Sequence, residues 1–266
     1  MKFLVLGAGG QFGFSFLGIL KNLENSIKEV QEISGASIGS LIGLFLAAGK
    51  SVDEITENFF TYDQSSFTKL NLKNFIKNYG FMDLLEFKKN IIKNIGFDPK
   101  FKDLEKKIYI SAYNLNLEKT EYFSRDTHPE MSAIDAMCLS MSIPFLFSAG
   151  TFNGFHYIDG GTFENAPLPP FFGKPAEEIL IIQTCFKNNN NIEINNLKEY
   201  IIKIFFNCMK NFTLVYDSRK YNILTVPHMD SGSATSLDFK MDLDTKWKLF
   251  FHGFNLARHS DLFQNE

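Results

Sequence analysis

The chain has 266 residues, 45% of them hydrophobic and 21% charged, with a formal net charge of −3. These proportions exclude a disordered chain and suit a globular protein that buries a core without disulfide or metal staples. The slight negative balance gives no basis for nucleic acid as a partner. It also argues against general adhesion to anionic membranes, while leaving room for a local basic face.

Lys2–Leu6 is a short apolar run that reads as a strand, followed by a glycine-rich loop, Gly7–Gly13, and an apolar helix, Phe14–Leu20. Val30–Ser34 reads as a second strand ending at Gly35. Ile38–Ala48 is apolar or glycine apart from Ser40 and reads as a buried helix stopped by Gly49. Ser51 and Glu54 have capping-box spacing and open the next helix. Asp63–Gly80 is mixed and receives no assignment; it is open to reading as a lid or as an ordinary insertion. Asp83–Ile95 is an amphipathic helix closed by Gly96. Lys107–Leu115 and Thr120–Phe123 read as strands, and Ser132 caps a helix to about Ser142, before Pro144. Phe155–Ile158 and Glu178–Thr184 are strands, the first running into Asp159-Gly160-Gly161. Asn188–Asn196 reads as a surface loop and Asn195–Tyr216 has helical period. Tyr221–Val226 is a last strand and Asp244–Arg258 a last helix. Strands alternating with helices predict one α/β domain over residues 1–266, with a central, mostly parallel sheet flanked by helices.

Cys138, Cys185 and Cys208 have no C-x-x-C spacing and read as reduced, mostly buried thiols of an intracellular protein. The opening "MKFLVLGAGG" has an apolar run of only four residues, Phe3–Leu6, too short for a signal peptide core. No stretch has the length of a transmembrane helix. The expected location is cytoplasmic, with peripheral membrane contact open. Two accounts fit the thirty phenylalanines: an A+T-rich coding sequence, or extra apolar surface for lipid. Trp247, Phe250, Phe251 and Phe254 share a helical face, readable as a core stripe or as an interfacial helix.

Gly35-Ala36-Ser37-Ile38-Gly39 has the form G-x-S-x-G, which places a serine on a sharp strand-to-helix turn. In a parallel sheet the Gly7–Gly13 loop and Ser37 both emerge at the carboxyl ends of strands, where α/β sites form. A glycine-rich loop there points backbone N–H groups into one spot and stabilises an oxyanion. The rival nucleotide fingerprint G-x-G-x-x-G from Gly7 fails, because Phe12 stands where the third glycine belongs. Ser37 needs a proton acceptor. His128, His156, His228, His252 and His259 are the histidines available to a triad, and none has a distinctive setting. A carboxylate within reach also serves, and Asp159 ends a strand before two glycines. No H-E-x-x-H motif or EF-hand carboxylate loop is present, so no metal and no cofactor are expected.

Together these features resemble the patatin-like phospholipases, serine acyl hydrolases with a Ser–Asp dyad. "GAGGQFGFSFLGIL" is similar to their glycine-rich loop, G-G-G-x-(Arg/Lys)-G, running into a helix. "GASIGS" matches their nucleophile turn. "SMSIPFLFSAGTFNGFHYIDGGTFENAPL" is similar to the block in which Ile-Pro ends a small-residue helix and the catalytic Asp-Gly-Gly precedes Asn-x-Pro. The resemblance covers roughly residues 1–183; residues 187–266 carry nothing diagnostic.

The resemblance implies Ser37 as nucleophile and Asp159 as base. It implies an oxyanion hole from Gly9 and Gly10 with Ala8 or Gln11, an elbow framed by Gly35 and Gly39, and Gly160 and Gly161 as the turn after the aspartate. Phe12 stands at the family's basic position, and Ala8 replaces one glycine. The implied function is hydrolysis of fatty-acyl esters of phospholipids or lysophospholipids. Three other readings stay open: an inactive lipid-binding relative, a nucleotide-binding oxidoreductase, and a hydrolase with a late histidine.

Overall fold

The computed structural model describes residues 1–64, 71–185, 194, 195, 200, 203, 204, 216, 219–227 and 237–260. Most of the loop predicted over 188–196, most of the helix predicted over 195–216, Cys208 and His228 lie outside the described residues. The described thiols, expected to be mostly buried, are not: Cys185 is exposed and Cys138 half-buried.

The strands are β1 (Phe3–Leu6), β2 (Glu32–Ala36), β3 (Gly80–Met82), β4 (Lys107–Asn114), β5 (Lys119–Phe123), β6 (Phe145–Phe147), β7 (Gly150–Phe152), β8 (Phe155–Asp159), β9 (Ile179–Cys185) and β10 (Asn222–Pro227). The helices are α1 (Gly13–Asn22), α2 (Glu24–Lys28), α3 (Ile38–Ala47), α4 (Val52–Thr61), α5 (Leu72–Asn78), α6 (Leu85–Ile95), α7 (Ala133–Ser140) and α8 (Leu243–Arg258). The predicted α/β class holds. One sheet runs β10-β9-β1-β2-β4-β8-β7, with β5 on the remaining edge of β4. The five strands β10 to β4 pair in parallel; β5, β8 and β7 join antiparallel. The predicted second strand lies two residues later than its apolar run suggested, over Glu32–Ala36, because Glu32 takes its register from Phe3.

β1 and β9 are central and buried on both faces, which explains their unbroken apolar runs. Alternation sorts their side chains. Leu4, Leu6, Leu180 and Ile182 join the large helix-side core, whereas Phe3, Val5, Ile179 and Ile181 meet Ala166, Leu168 and Phe171 on the opposite face.

Ser51 caps α4 as its spacing predicts: its hydroxyl accepts from the Glu54 N–H at 3.2 Å, while Glu54 accepts from the Ser51 N–H at 2.9 Å. Such a cap is worth about 1 kcal/mol. α8 packs along α1 at contact distance. A Cβ on Gly18 would lie 1.9 Å from the Phe250 carbonyl oxygen, and one on Gly253 would lie 1.9 Å from that of Ser15. The Ser15 hydroxyl bonds the Leu249 carbonyl at 2.8 Å across this seam. The aromatic face of α8 is therefore divided: Phe250 is buried, while Trp247 and Phe251 remain partly exposed.

Candidate active site

Ser37 stands between β2 and α3 with φ 52° and ψ −124°. L residues avoid this region at a cost of about 1–3 kcal/mol, so the surroundings must impose it. They do so by close packing. A Cβ on Gly39 would lie 2.2 Å from the Leu6 carbonyl oxygen, so α3 begins against β1 only because residue 39 is glycine. The turn is then tied at both backbone groups. The Ser37 N–H donates to Ser140 Oγ at 2.9 Å, and the Ser37 carbonyl accepts from Ser40 Oγ at 2.6 Å. The hydroxyl sits at the N-terminus of α3, where the helix dipole favours negative charge.

Asp159 arrives from β8. β5 occupies one edge of β4 along Ile110–Asn114. β2 and β8 must therefore share the other edge. β2 runs parallel to β4 and ends with Ala36 opposite Ser111; β8 runs antiparallel and ends with Asp159 opposite Ala112. The two strands meet end to end, which brings Asp159 beside Ser37. Asp159 is buried. Its Oδ1 accepts from the Gly161 N–H at 2.7 Å. Its Oδ2 is buried with no donor in hydrogen-bonding geometry among the described residues. Burial pushes the carboxyl up to about 7, with the Ser37 hydroxyl and the Gly161 N–H pulling it down.

The glycine loop is pinned at Ala8. The Ala8 N–H donates to the Asn165 carbonyl at 2.7 Å, and the Ala8 carbonyl accepts from Thr184 Oγ1 at 3.0 Å. Asn165 Nδ2 in turn donates to the Thr184 carbonyl at 3.1 Å. The Ala8 N–H is thus already engaged, unlike those that follow it in the loop. Among the described residues no acceptor takes the N–H groups of Gly9, Gly10 or Gln11. Gly10 has φ 53°, a conformation glycine adopts without strain.

Gly10, Gln11 and Ser37 border one cavity whose walls are largely apolar, including Phe14, Leu41, Phe45, Ile91 and Phe147. Asn58, Gln64, Asn90 and Asn94 supply carboxamides, and Gln11 donates to Gln64 Oε1 at 2.6 Å. No histidine lines this cavity among the described residues. His128 packs on Phe123 and Phe152, His156 on Tyr79, and His252 lies on α8.

Residues 4–172 match the family described as Patatin-like phospholipase. The chain belongs to this family. It is 29% identical over 272 residues to protein R571 of Acanthamoeba polyphaga mimivirus, covering 94% of this chain and 90% of that one. It is 30% identical over 181 residues to "Probable lipid hydrolase 463L" of Invertebrate iridescent virus 6, covering 63% of this chain and 62% of that one. A 28% identity links it to a "cGAMP-activated phospholipase" of Escherichia coli, of which the chain spans 53%. Among solved structures, VipD from Legionella pneumophila shares the fold, with a TM-score of 0.63 and 17% identity over 97% of this chain and 66% of that one.

The patatin-like frame makes Phe12 informative. Phe12 is 2% exposed, within the helix-side core, and does not line the cavity. The family's basic side chain is replaced here by a core residue. Sequence reasoning missed Ser140, Asn165, Thr184 and Glu164. Asn165 carried a signal, as the Asn of Asn-x-Pro after Asp-Gly-Gly. Ser140 and Thr184 carried none, because each acts through one hydrogen bond to a distant backbone. Glu164 accepts from the Tyr122 hydroxyl and anchors this same loop to β5. Burial pushes its carboxyl up to about 7, the tyrosine opposing.

Proposed function

We propose that the protein is a serine lipid acyl hydrolase acting on fatty-acyl esters of phospholipids or lysophospholipids through Ser37 and Asp159. The observation that carries this reading is the register that ends β2 and β8 at neighbouring residues of β4, setting the buried Asp159 beside the strained Ser37 turn, next to a loop whose N–H groups no acceptor takes among the described residues. Asp159 takes the proton as Ser37 Oγ bonds to the ester carbonyl carbon, whose π electrons move onto oxygen. The N–H groups of Gly9, Gly10 and Gln11 receive that oxyanion; one such donor is worth about 3 kcal/mol of barrier. Collapse breaks the C–O bond to the alcohol, which leaves with the proton from Asp159. Water then attacks the acyl-serine, giving its proton to Asp159, and the fatty acid departs as that proton returns to Ser37.

The apolar walls suit the acyl chain, and an aspartate titrating near neutrality is a competent base. The names "lipid hydrolase" and "phospholipase" among the relatives support the substrate class. We read residues 1–266 as one domain, cytoplasmic and peripheral at membranes. Among the described residues no helix is long and apolar enough to cross a membrane. Incubating the purified protein with mixed phospholipids and lysophospholipids, and identifying released fatty acids, tests the reading. Release by wild type and none by Ser37→Ala is expected; release by neither, or by both, overturns it.

A further inference from the structure

α5 turns an apolar stripe outward. Leu72 and Ile76 are one turn apart and 68% and 79% exposed, and Tyr79 follows on the same side at 60%. The rest of the helix is anchored. Phe75 stacks on Phe81 with ring centroids 4.4 Å apart, and Asn74 Nδ2 bonds the Gly80 carbonyl at 2.6 Å and Ser148 Oγ at 2.9 Å. The stripe is therefore held out on a fixed element.

It continues onto β6, where Gly80 of β3 lies opposite Phe145. Phe145 is 48% exposed at φ 67°, a left-handed conformation unusual for a bulky residue. Tyr79, Leu115, Phe145 and His156 line one shallow groove. Phe147 borders both this groove and the Ser37 cavity. Phe147 itself is buried and forms a wall common to the groove and the cavity.

The charge pattern identifies the occupant. Lys73 and Lys77 flank the stripe, α5 contains no carboxylate, and neither lysine has an acidic partner among the described residues. A second copy docking face to face would set these lysines against themselves. Anionic headgroups complement them, while Leu72, Ile76, Tyr79 and Phe145 enter the acyl boundary.

We propose that α5 and Phe145 form the surface by which the protein seats on an anionic lipid bilayer, next to the wall of its cavity. The use of this surface rests on the lipid-hydrolase reading, but its binding is measurable without catalysis. Full-length Ser37→Ala protein is sedimented with phosphatidylcholine vesicles, with and without phosphatidylserine. Binding that phosphatidylserine strengthens is expected. Leu72→Ser with Ile76→Ser should weaken it at least about tenfold. Lys73→Gln and Lys77→Gln should each remove about fivefold, only where phosphatidylserine is present. The same changes in the wild-type background should leave turnover of a soluble short-chain ester intact. No vesicle binding, binding indifferent to these changes, or loss through Phe251→Ser on α8 instead would overturn the docking surface. So would a dimer that Leu72→Ser with Ile76→Ser dissociates. Ester hydrolysis absent while vesicle binding persists would overturn the enzyme reading alone.

Discussion

Ala36 and Asp159 face consecutive residues of β4, Ser111 and Ala112, from strands that run toward each other along one edge. Ser37 follows Ala36 directly. The proposed nucleophile and the proposed base, far apart in the chain, are thus positioned by backbone register. Small shifts of either strand would separate them, because side chains alternate faces at each residue.

The strain at Ser37 gives the first prediction. Ser37→Ala removes one oxygen and keeps the strained backbone, so activity and fluorophosphonate labelling vanish with little change in melting temperature. Ser37→Gly also abolishes activity but relieves the φ 52° conformation. It should stabilise the fold by about 1 kcal/mol, strain relief exceeding the entropy cost of glycine. Thermal melts of both variants decide this; a Ser37→Gly protein less stable than Ser37→Ala contradicts it.

Asp159 predicts opposite pH effects on activity and stability. As a base it must be ionised, so kcat/KM should fall as pH drops through about 7. For stability, the folded pKa lies above the ordinary carboxylate value, so the folded state holds the proton more tightly. That contribution is complete below about pH 4 and is lost as pH rises to about 7. Asp159→Asn should therefore lose turnover by orders of magnitude yet melt higher than wild type at pH 8. A variant that melts lower at pH 8 would show that the carboxylate is stabilised by contacts not described above.

The pin on the glycine loop is testable at Thr184. Thr184→Val keeps the shape and removes the hydroxyl that bonds the Ala8 carbonyl at 3.0 Å. Loss of this buried bond should cost about 1 kcal/mol of stability. The larger effect should be on kcat, with KM little changed, because the loop's N–H directions matter most in the transition state. An unchanged kcat would mean that the loop is held elsewhere.

Gly10 and Phe12 should respond differently to change. Gly10→Ala places a Cβ at φ 53° and disturbs the proposed donors, so kcat should fall about a hundredfold while the protein stays folded. Phe12→Arg would bury an unpaired cation in the core and should destabilise the fold by several kcal/mol without raising turnover. A stable, more active Phe12→Arg enzyme would show that the position still faces the site.

The sequence by itself determined the local devices. The Gly35–Gly39 turn, the Ser51 capping box and the apolar runs of β1 and β9 follow from contacts between near neighbours, so spacing and residue type suffice to read them. The glycine loop and the Asp-Gly-Gly turn were legible for the same reason, as was the α/β alternation. Only the tertiary structure decided how they combine. β4 is shared between β2 and β8, and that pairing, invisible in either strand's composition, sets Asp159 against Ser37. The Ala8 N–H is engaged by Asn165, although in sequence Ala8 looked equivalent to its neighbours in the loop. The burial of Phe12 and the exposure of Leu72, Ile76 and Phe145 were equally unreadable, because apolar residues look alike in sequence whether a partner covers them or not.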